Sequence, residues 1–303
     1  MPNTIELAKL YLSNLQKAWT IESLTAVLEN GEMVRSVAGA SAGEVKVPVM
    51  KVSGMKDYSR TGGYPAGVID LKWKTLELAQ DRGVKFPVDV MDNDESTGIV
   101  AGNMLSTFQT ESVVPEIDAY RFAKIAQGSA TANRATGSIS TADGAFTALK
   151  NAVSALNNKS VPAEGRILFC TNEFYEFLKE KVGDKRFYMT KQADINTEIE
   201  MYDNMRIVRV PTTRFYTGWA KDDVNGGFTN DGSAINFLLV HKSAVLPVIK
   251  HNPIKVLTPE INQSLDAWEV MYRLYHDCFV LPNRENGVYV HSVSAIPVTS
   301  DES

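Results

Sequence analysis

Two runs of alternating residues joined by a glycine-rich link constrain the fold of this 303-residue chain more than any other feature. Residues 45–50 and 69–75 each alternate in period two, which is the pattern of a β-strand. The link 53–67 is too long for a tight turn and holds four glycines and a proline. Pro48 favours an edge strand, since proline cannot donate to a strand ladder. The sequence therefore predicts a long β-hairpin with a flexible tip.

This hairpin is more basic than the rest of the chain. Residues 45–78 hold six basic and three acidic side chains, a net charge of +3, so the overall charge of −5 leaves −8 elsewhere. Two strands alone are marginally stable in water. One interpretation is a solvated ribbon with two polar faces. The other is a basic arm that lies across an acidic neighbouring copy of the chain. The candidate interface residues are Lys46, Lys51, Lys56, Arg60, Lys72, Trp73 and Lys74.

The remaining periodicities predict a mixed α+β chain. Leu7–Trp19 follows a helical spacing, which residues 20–28 continue or follow with a short helix. Residues 84–90 alternate as a third strand, and acidic residues 92–96 suit a helix start. Helical patterns over 99–113 and 116–126 flank Pro115, which would kink the helix or restart it. The Ser-, Thr- and Gly-rich stretch 128–142 predicts an internal boundary.

After this boundary the pattern becomes helix, strand, helix, strand, which predicts a compact α/β subdomain over about 140–235. Thr141 is the expected cap of the helix that carries Phe146, Leu149, Val153 and Leu156. Further strands are predicted at 235–242, 254–257, 268–281 and 288–293. Residues 283–287 supply the turn between the last two of these strands.

Composition excludes several classes of protein. Hydrophobic residues make up 44% and charged residues 22% of the chain, which is ordinary for a globular protein. The two cysteines, Cys170 and Cys278, form no CxxC motif, which fits a reducing compartment. No apolar run is long enough to span a bilayer and no secretory signal is evident, so we expect no membrane association. The negative net charge disfavours general nucleic-acid binding.

Motifs with possible chemistry fail their structural tests. Ser41 lies in a Gly-x-Ser-x-Gly pattern, but another strand follows it where a nucleophile elbow needs a helix. His276 and Cys278 stand two apart on a predicted strand, about 7 Å from each other. A calcium loop beginning at Asp92 lacks the required glycine and glutamate. We therefore predict no catalytic residue, metal site or cofactor, and a hydrolase using Ser41 or Cys278 stays a weak alternative.

Three short runs carry a family resemblance. Residues 85–92 (KFPVDVMD), 113–121 (VVPEIDAYR) and 272–277 (YRLYHD) resemble the major capsid proteins of tailed bacteriophages, and so does the order of elements across nearly the whole chain. That family has the Hong Kong 97-type fold. The resemblance implies an N-terminal arm at 1–43 and an E-loop hairpin at 44–83. A peripheral domain with a long spine helix is implied at 84–140 and 236–303, with an axial domain at 141–235.

The resemblance also implies a function. The chain would assemble with itself, as hexamers and pentamers, into the icosahedral or prolate head of a double-stranded DNA phage. It would form in the host cytoplasm and reside in the virion. Portal protein, a separate scaffolding protein and packaged DNA, bound without sequence preference, are the implied partners. Scaffolding is expected to be separate because only about forty residues precede the hairpin. The alternative is an encapsulin-type nanocompartment shell with the same fold.

Overall fold

A computed structural model describes residues 23–29, 44–58, 60–61, 63–89, 107–183, 201–222, 224, 226–251, 253–261 and 267–296. The chain divides into two compact units. Asn30–Ala79 forms one, and Met1–Glu29 with Gln80–Ser303 forms the other. Each unit is described by itself below.

The smaller unit contains the hairpin. Strands β1 (Glu44–Val52) and β2 (Ile69–Glu77) pair antiparallel in unbroken register, from Glu44 opposite Glu77 to Val52 opposite Ile69. Both strands lie where the period-two alternation predicted them, so the hairpin prediction is confirmed. Among the residues that the structure describes, no third strand joins this sheet.

In the larger unit, a four-stranded sheet is built around one long strand. β12 (Ala267–Val280) pairs along one edge with β3 (Gln80–Asp89). Its other edge pairs first with β11 (Ile254–Leu257) and then with β10 (Val245–His251). All of these pairs are antiparallel. With 14 residues, β12 is long enough to pair with β11 and β10 one after the other on one edge while β3 pairs along the other edge.

A second sheet has seven strands: β4 (Arg134–Thr136), β5 (Arg166–Thr171), β6 (Met201–Tyr202), β7 (Met205–Val210), β8 (Tyr216–Lys221), β9 (Phe228–His241) and β13 (Val288–Ser292). Six of them lie in the order β4-β13-β9-β5-β7-β6, and β8 pairs with the first half of β9. β5 runs parallel to β7, and β13 runs parallel to β4.

The described part of the chain includes the α-helices α1 (Val114–Gln127), α2 (Ala142–Asn158) and α3 (Asn172–Gly183), which pack on these sheets. A π-helical turn, Gln109–Val113, leads into α1, and Pro115 lies in the first turn of α1. The Val114 amide donates to the Gln109 carbonyl, so the helix is continuous here, and the hydrogen bonding changes from π- to α-helical just before Pro115, which has no amide hydrogen to donate. The Thr141 hydroxyl accepts a hydrogen bond from the Gly144 amide, which confirms the predicted cap of α2.

Helix α1 packs against both sheets. Its first turns bury Val113 and Ile117 against Tyr272 and Leu274 of β12. Its later turns bury Phe122, Ile125 and Ala126 against β5, β9 and β13 of the seven-stranded sheet. Helices α2 and α3 cover the opposite face of that sheet. β5 is therefore enclosed on both faces, which explains why its sequence is a short apolar run without alternation.

Some predictions are corrected by the structure. Residues 283–287 do not form a hairpin turn, because β12 and β13 belong to different sheets. Instead this segment, with Asn283 at φ 66° and a 3₁₀ turn at Glu285–Gly287, carries the chain from one sheet to the other. For residues 20–28 the second predicted alternative holds, since the described part contains a short helix, the 3₁₀ helix Leu24–Leu28. The stretch 128–142 contains β4.

Other predictions concern residues outside the described ranges. These are the helix over Leu7–Trp19, the serine motif at Ser41, the acidic helix start at 92–96 and most of the helical pattern over 99–113. The division into arm, hairpin, peripheral and axial domains stays a prediction. β3 begins at Gln80, inside the range assigned to the hairpin, and β9 crosses the predicted boundary at 235/236.

Candidate assembly interface

The hairpin is closed at its tip end by hydrogen bonds between Ser53 and Val68. The Ser53 amide donates to the Val68 carbonyl at 3.0 Å, and the Val68 amide donates to the Ser53 hydroxyl at 2.9 Å. Beyond them, the rings of Tyr58 and Tyr64 meet with centroids 5.0 Å apart. Gly63 adopts φ 74°, a left-handed conformation that glycine takes without strain. The link therefore has local order, although its described residues form no strand or helix.

One face of the hairpin is apolar and exposed. The register pairs Pro48 with Trp73, Met50 with Leu71 and Val52 with Ile69, and directly opposed side chains lie on the same face. Five of these side chains are 50–71% exposed, and Pro48 is also exposed. The apolar face thus comprises Pro48, Met50, Val52, Ile69, Leu71 and Trp73.

The opposite face is basic. Lys51 lies opposite Asp70, while Lys72 and Lys74 lie opposite Val49 and Val47. Lys72 Nζ stands 3.1 Å from the Asp70 carboxylate, and both side chains are largely in solvent. Exposed ion pairs of this kind add little stability because water screens them. We call Val47, Val49, Lys51, Asp70, Lys72 and Lys74 the basic face.

The predicted interface residues are divided by this geometry. Lys51, Lys72 and Lys74 share the basic face, whereas Trp73 lies on the apolar face. Lys46, two residues before Pro48, lies on the same side as Trp73. Lys56 and Arg60 lie exposed in the link. Sequence reasoning missed the apolar partners of Trp73, which are Met50, Leu71, Val52 and Ile69. The alternation alone contained this signal, but only the register shows that both strands direct these residues to one face.

The segment that precedes the hairpin unit is fastened to α1 by Asp118. This carboxylate is fully buried and accepts hydrogen bonds from the Ser23 hydroxyl at 3.0 Å, the Leu24 amide at 3.1 Å and the Thr25 amide at 3.2 Å. The Thr25 hydroxyl donates to it at 2.7 Å, and Arg214 Nη1 lies 3.6 Å away. Asp118 thereby satisfies donors that burial would otherwise leave without partners.

Two ion pairs from α1 hold the residues on either side of the hairpin unit. Arg121, fully buried, donates through Nη1 to the Thr25 hydroxyl and through Nη2 to the Glu29 carboxylate, each at 3.0 Å. Glu116, one and a half turns earlier, accepts from Arg82 Nε at 2.8 Å. The chain therefore contacts α1 through Glu29, just before the hairpin unit, and again through Arg82, just after it.

Comparison with known proteins gives the fold a context. No family model and no curated protein matches the chain. Among solved structures, the Cyanophage P-SCSP1u capsid aligns with a TM-score of 0.59 at 15% identity, covering 84% of each chain. The mature capsid of bacteriophage PhiM1 aligns with a TM-score of 0.57 at 11% identity, covering 86% of this chain and 85% of that one. The chain has the fold of tailed-phage major capsid proteins.

Two further structures have this capsid fold. One from Mycobacterium phage Che8 aligns with a TM-score of 0.61 at 19% identity, covering 87% of this chain and 89% of that one. A virus-like particle from Pyrococcus furiosus aligns with a TM-score of 0.51 at 10% identity, covering 92% of this chain and 96% of that one. The fold is thus common to phage capsids and to this particle.

Within the capsid fold, the His276-Asp277-Cys278 run of β12 is part of a buried structural cluster. The Tyr120 hydroxyl donates to Asp277 Oδ1 at 2.8 Å, and the Cys278 amide donates to the same oxygen at 2.7 Å. Burial and the neighbouring Asp277 raise the pKa of Tyr120. Among the described residues there is no group of three or more potential ligands for a metal ion, and no helix long and apolar enough to cross a membrane.

Both cysteines are expected to resist thiol reagents while the protein is folded. Burial raises the pKa of Cys170 and of Cys278 to about 12, so neither forms the reactive thiolate near neutral pH. Ellman's reagent should therefore label neither thiol in buffer at pH 8 and both thiols in strong denaturant. Rapid labelling of the native protein would contradict the described burial.

His276 is expected to make stability depend on pH. Burial, reinforced by Arg121 and Arg82, lowers its pKa from 6.5 to about 3. Above pH 6.5 the imidazole is neutral in both states. As the pH falls from 6.5 towards 3, only the unfolded chain takes up the proton, so stability is lost across that window. At pH 5 the loss relative to pH 7 is about 2 kcal/mol.

The measurement is urea unfolding of wild type and His276→Gln at pH 7 and pH 5. The variant should lose less stability between the two values, because glutamine does not titrate. Wild type and variant carry the same acidic residues, so the contribution of carboxylates to the pH dependence of stability cancels in this comparison. An equal loss in the two proteins would argue against a neutral, buried His276.

Proposed function

We propose that this chain is a major capsid protein that self-assembles into the icosahedral or prolate head shell of a tailed double-stranded DNA phage. The observation that carries the proposal is the capsid fold over more than four fifths of the chain, shared with the P-SCSP1u and PhiM1 capsids. The hairpin adds support, because its exposed apolar face is a surface of the kind that marks a protein–protein contact.

In this proposal the parts of the fold take the roles implied by the resemblance. The β1–β2 hairpin is the E-loop, and the π-turn with α1 is the described part of the spine helix. α1 suits a rigid floor because it packs against both sheets through buried side chains. The four-stranded sheet belongs to the peripheral domain, and α2, α3 and β5–β8 belong to the axial domain. Residues 1–43 are assigned to the proposed N-terminal arm.

Assembly is the proposed mechanism. Each hairpin reaches across a neighbouring subunit, and axial domains meet around hexamer and pentamer axes. Single contacts need only modest affinity, since many contacts per subunit reinforce one another in a closed shell. Portal protein, a separate scaffolding protein and non-specifically packaged DNA are the proposed partners, and the virion is the proposed location.

A second candidate is an encapsulin-type compartment shell. The similarity to the Pyrococcus furiosus virus-like particle favours it, because that particle aligns over 92% of this chain. The two candidates differ in contents and in genetic setting. Terminase, portal and tail genes beside the coding gene would support the phage head, whereas a neighbouring cargo-enzyme gene would support the compartment.

The test is expression of the full chain followed by negative-stain electron microscopy. Closed shells, with or without co-expressed scaffolding protein, are the expected result. A protein that stays monomeric under every assembly condition, including low and high salt and crowding agents, would reject both shell functions. Nuclease-protected DNA inside particles formed during infection would then select the phage head over the compartment.

A further inference from the structure

The apolar face of the hairpin is exposed, and none of the residues that the structure describes covers it. Its six residues lie in three consecutive cross-strand pairs, so they form one continuous strip. Trp73 at its centre is 61% exposed, and Ile69 at its tip end is 71% exposed. Exposed apolar patches of a few hundred Å² or more on soluble proteins mark interaction sites. This strip is therefore a surface built to be buried by a partner.

The two faces of the hairpin differ in what burial would do to them. Burying the apolar face removes hydrocarbon from water, which favours association. Burying the basic face would desolvate the ammonium groups of Lys51, Lys72 and Lys74, of which only Lys72 has a described ion pair on this face. Desolvated charges are favourable only with close, well-matched partners. Interface cores accordingly gain Trp and Met and lose Lys.

Charge identifies a second copy of this chain as the partner. Residues 45–78 carry +3 and the rest of the same chain carries −8, so each copy offers an acidic body to the basic hairpin of another. Such complementarity speeds encounter and sets orientation. Lysines at the rim of a contact can attract and orient the neighbouring copy while their ammonium groups remain hydrated.

We infer that the apolar face of the hairpin, and not its basic face, is the surface buried against a neighbouring copy during assembly. The basic face stays in solvent and attracts the acidic body of the neighbour over a distance. This inference rests on the proposed shell function and specifies the contact that the shell uses. The sequence pointed mainly to lysines as the interface residues, whereas this inference assigns the buried contact to apolar side chains.

Cysteine labelling distinguishes the faces directly. Leu71→Cys places a thiol on the apolar face and Lys72→Cys places one on the basic face, at adjacent positions of one strand that are both exposed in the single chain. The native thiols are buried and give little background. With a small maleimide, Leu71→Cys should react at least about tenfold more slowly in shells than in unassembled subunits, as expected for an apolar contact of moderate strength. Lys72→Cys should react at similar rates in both forms.

Assembly of double variants gives an independent measurement. Met50→Ser with Leu71→Ser should raise the protein concentration needed for shells by at least about tenfold, since two apolar side chains leave the contact. Lys72→Ser with Lys74→Ser should form shells at physiological salt, and only its assembly rate at low salt should fall. If the unassembled variants unfold at the same temperature as unassembled wild type, a folding defect is excluded.

The outcomes separate the two claims. Wild-type shells with Lys72→Cys protected and Leu71→Cys reactive would overturn this inference and leave the shell function intact. Normal assembly of the serine variant of the apolar face would do the same. Failure of the wild type to assemble at all would reject the shell function, and this inference with it.

Discussion

Replacing Asp118 with alanine is expected to lower the free energy of unfolding by about 3–5 kcal/mol. The carboxylate is fully buried and accepts four hydrogen bonds from Ser23, Leu24 and Thr25. Its loss would leave the Leu24 and Thr25 amides without their acceptor, and Arg214 without the carboxylate that lies 3.6 Å from its Nη1. Removing one partner from a buried charged network is far more destabilising than removing an exposed ion pair. Urea unfolding of the unassembled subunit would measure the difference.

The matched control is Asp81→Ala. Asp81 also pairs with an arginine, at 2.6 Å from Arg273, but that pair lies in solvent. The control should therefore unfold almost as wild type does. The loss of unfolding free energy in Asp118→Asn should lie between those of Asp118→Ala and Asp81→Ala, because the amide oxygen can accept some of the same hydrogen bonds. Similar losses for Asp118→Ala and Asp81→Ala would show that the buried network contributes little.

Phe122→Ala is expected to lower the free energy of unfolding by a similar amount, about 3–5 kcal/mol. Phe122 is fully buried on the later turns of α1, and its ring meets those of Phe169 and Phe215 with centroids 5.1 and 5.0 Å apart. Alanine would leave a cavity between α1 and the seven-stranded sheet, which close-packed neighbours fill only in part. Denaturant unfolding followed by far-ultraviolet circular dichroism would report the loss.

Two controls test whether the cavity is the cause. Phe122→Leu keeps most of the volume and should lose much less stability. Phe146→Ala makes the same chemical change at a half-buried position on α2, where only one aromatic contact, to Tyr202 at 6.4 Å, is removed. It should be clearly milder. If the two alanine variants were equally unstable, packing around Phe122 would not be the explanation.

Local pattern was sufficient for many elements of the fold. β1, β2 and β11 follow from period-two alternation, and α2 follows from its helical stripe and threonine cap. These features depend on neighbours in sequence, so a single chain contains the information. The enclosed strand β5 was also predictable, because a short apolar run bounded by polar residues suits a strand buried on both faces.

Pairing between distant strands was not predictable in the same way. β12 and β13 are close in sequence yet enter different sheets, and β4 pairs with β13 across more than 150 residues. Such pairings depend on how α1 packs between the two sheets, and no local pattern reports that arrangement. For the same reason, the hydrogen bonds to Asp118 from residues 23–25 could not be foreseen.

The interface shows both the value and the limit of counting charges. The net charge over residues 45–78 correctly marks a basic segment, but it does not show on which face of the hairpin each side chain lies. The predicted interface includes Trp73 together with its sequence neighbours Lys72 and Lys74. In a strand, adjacent side chains point to opposite faces. Only the register, with Trp73 opposite Pro48, separates the apolar strip from the lysines.

The two ion pairs on α1 have a mechanical consequence. Glu29 and Arg82, which flank the hairpin unit, are held by Arg121 and Glu116, five residues apart and so about 7.5 Å along one helix axis. A pull on the hairpin would reach α1 through an ion pair beside each end of the hairpin unit, and on the Arg82 side it would be shared with the paired strands β3 and β12. The residues on both sides of the hairpin unit are therefore anchored to one helix, the helix that packs on both sheets of the larger unit.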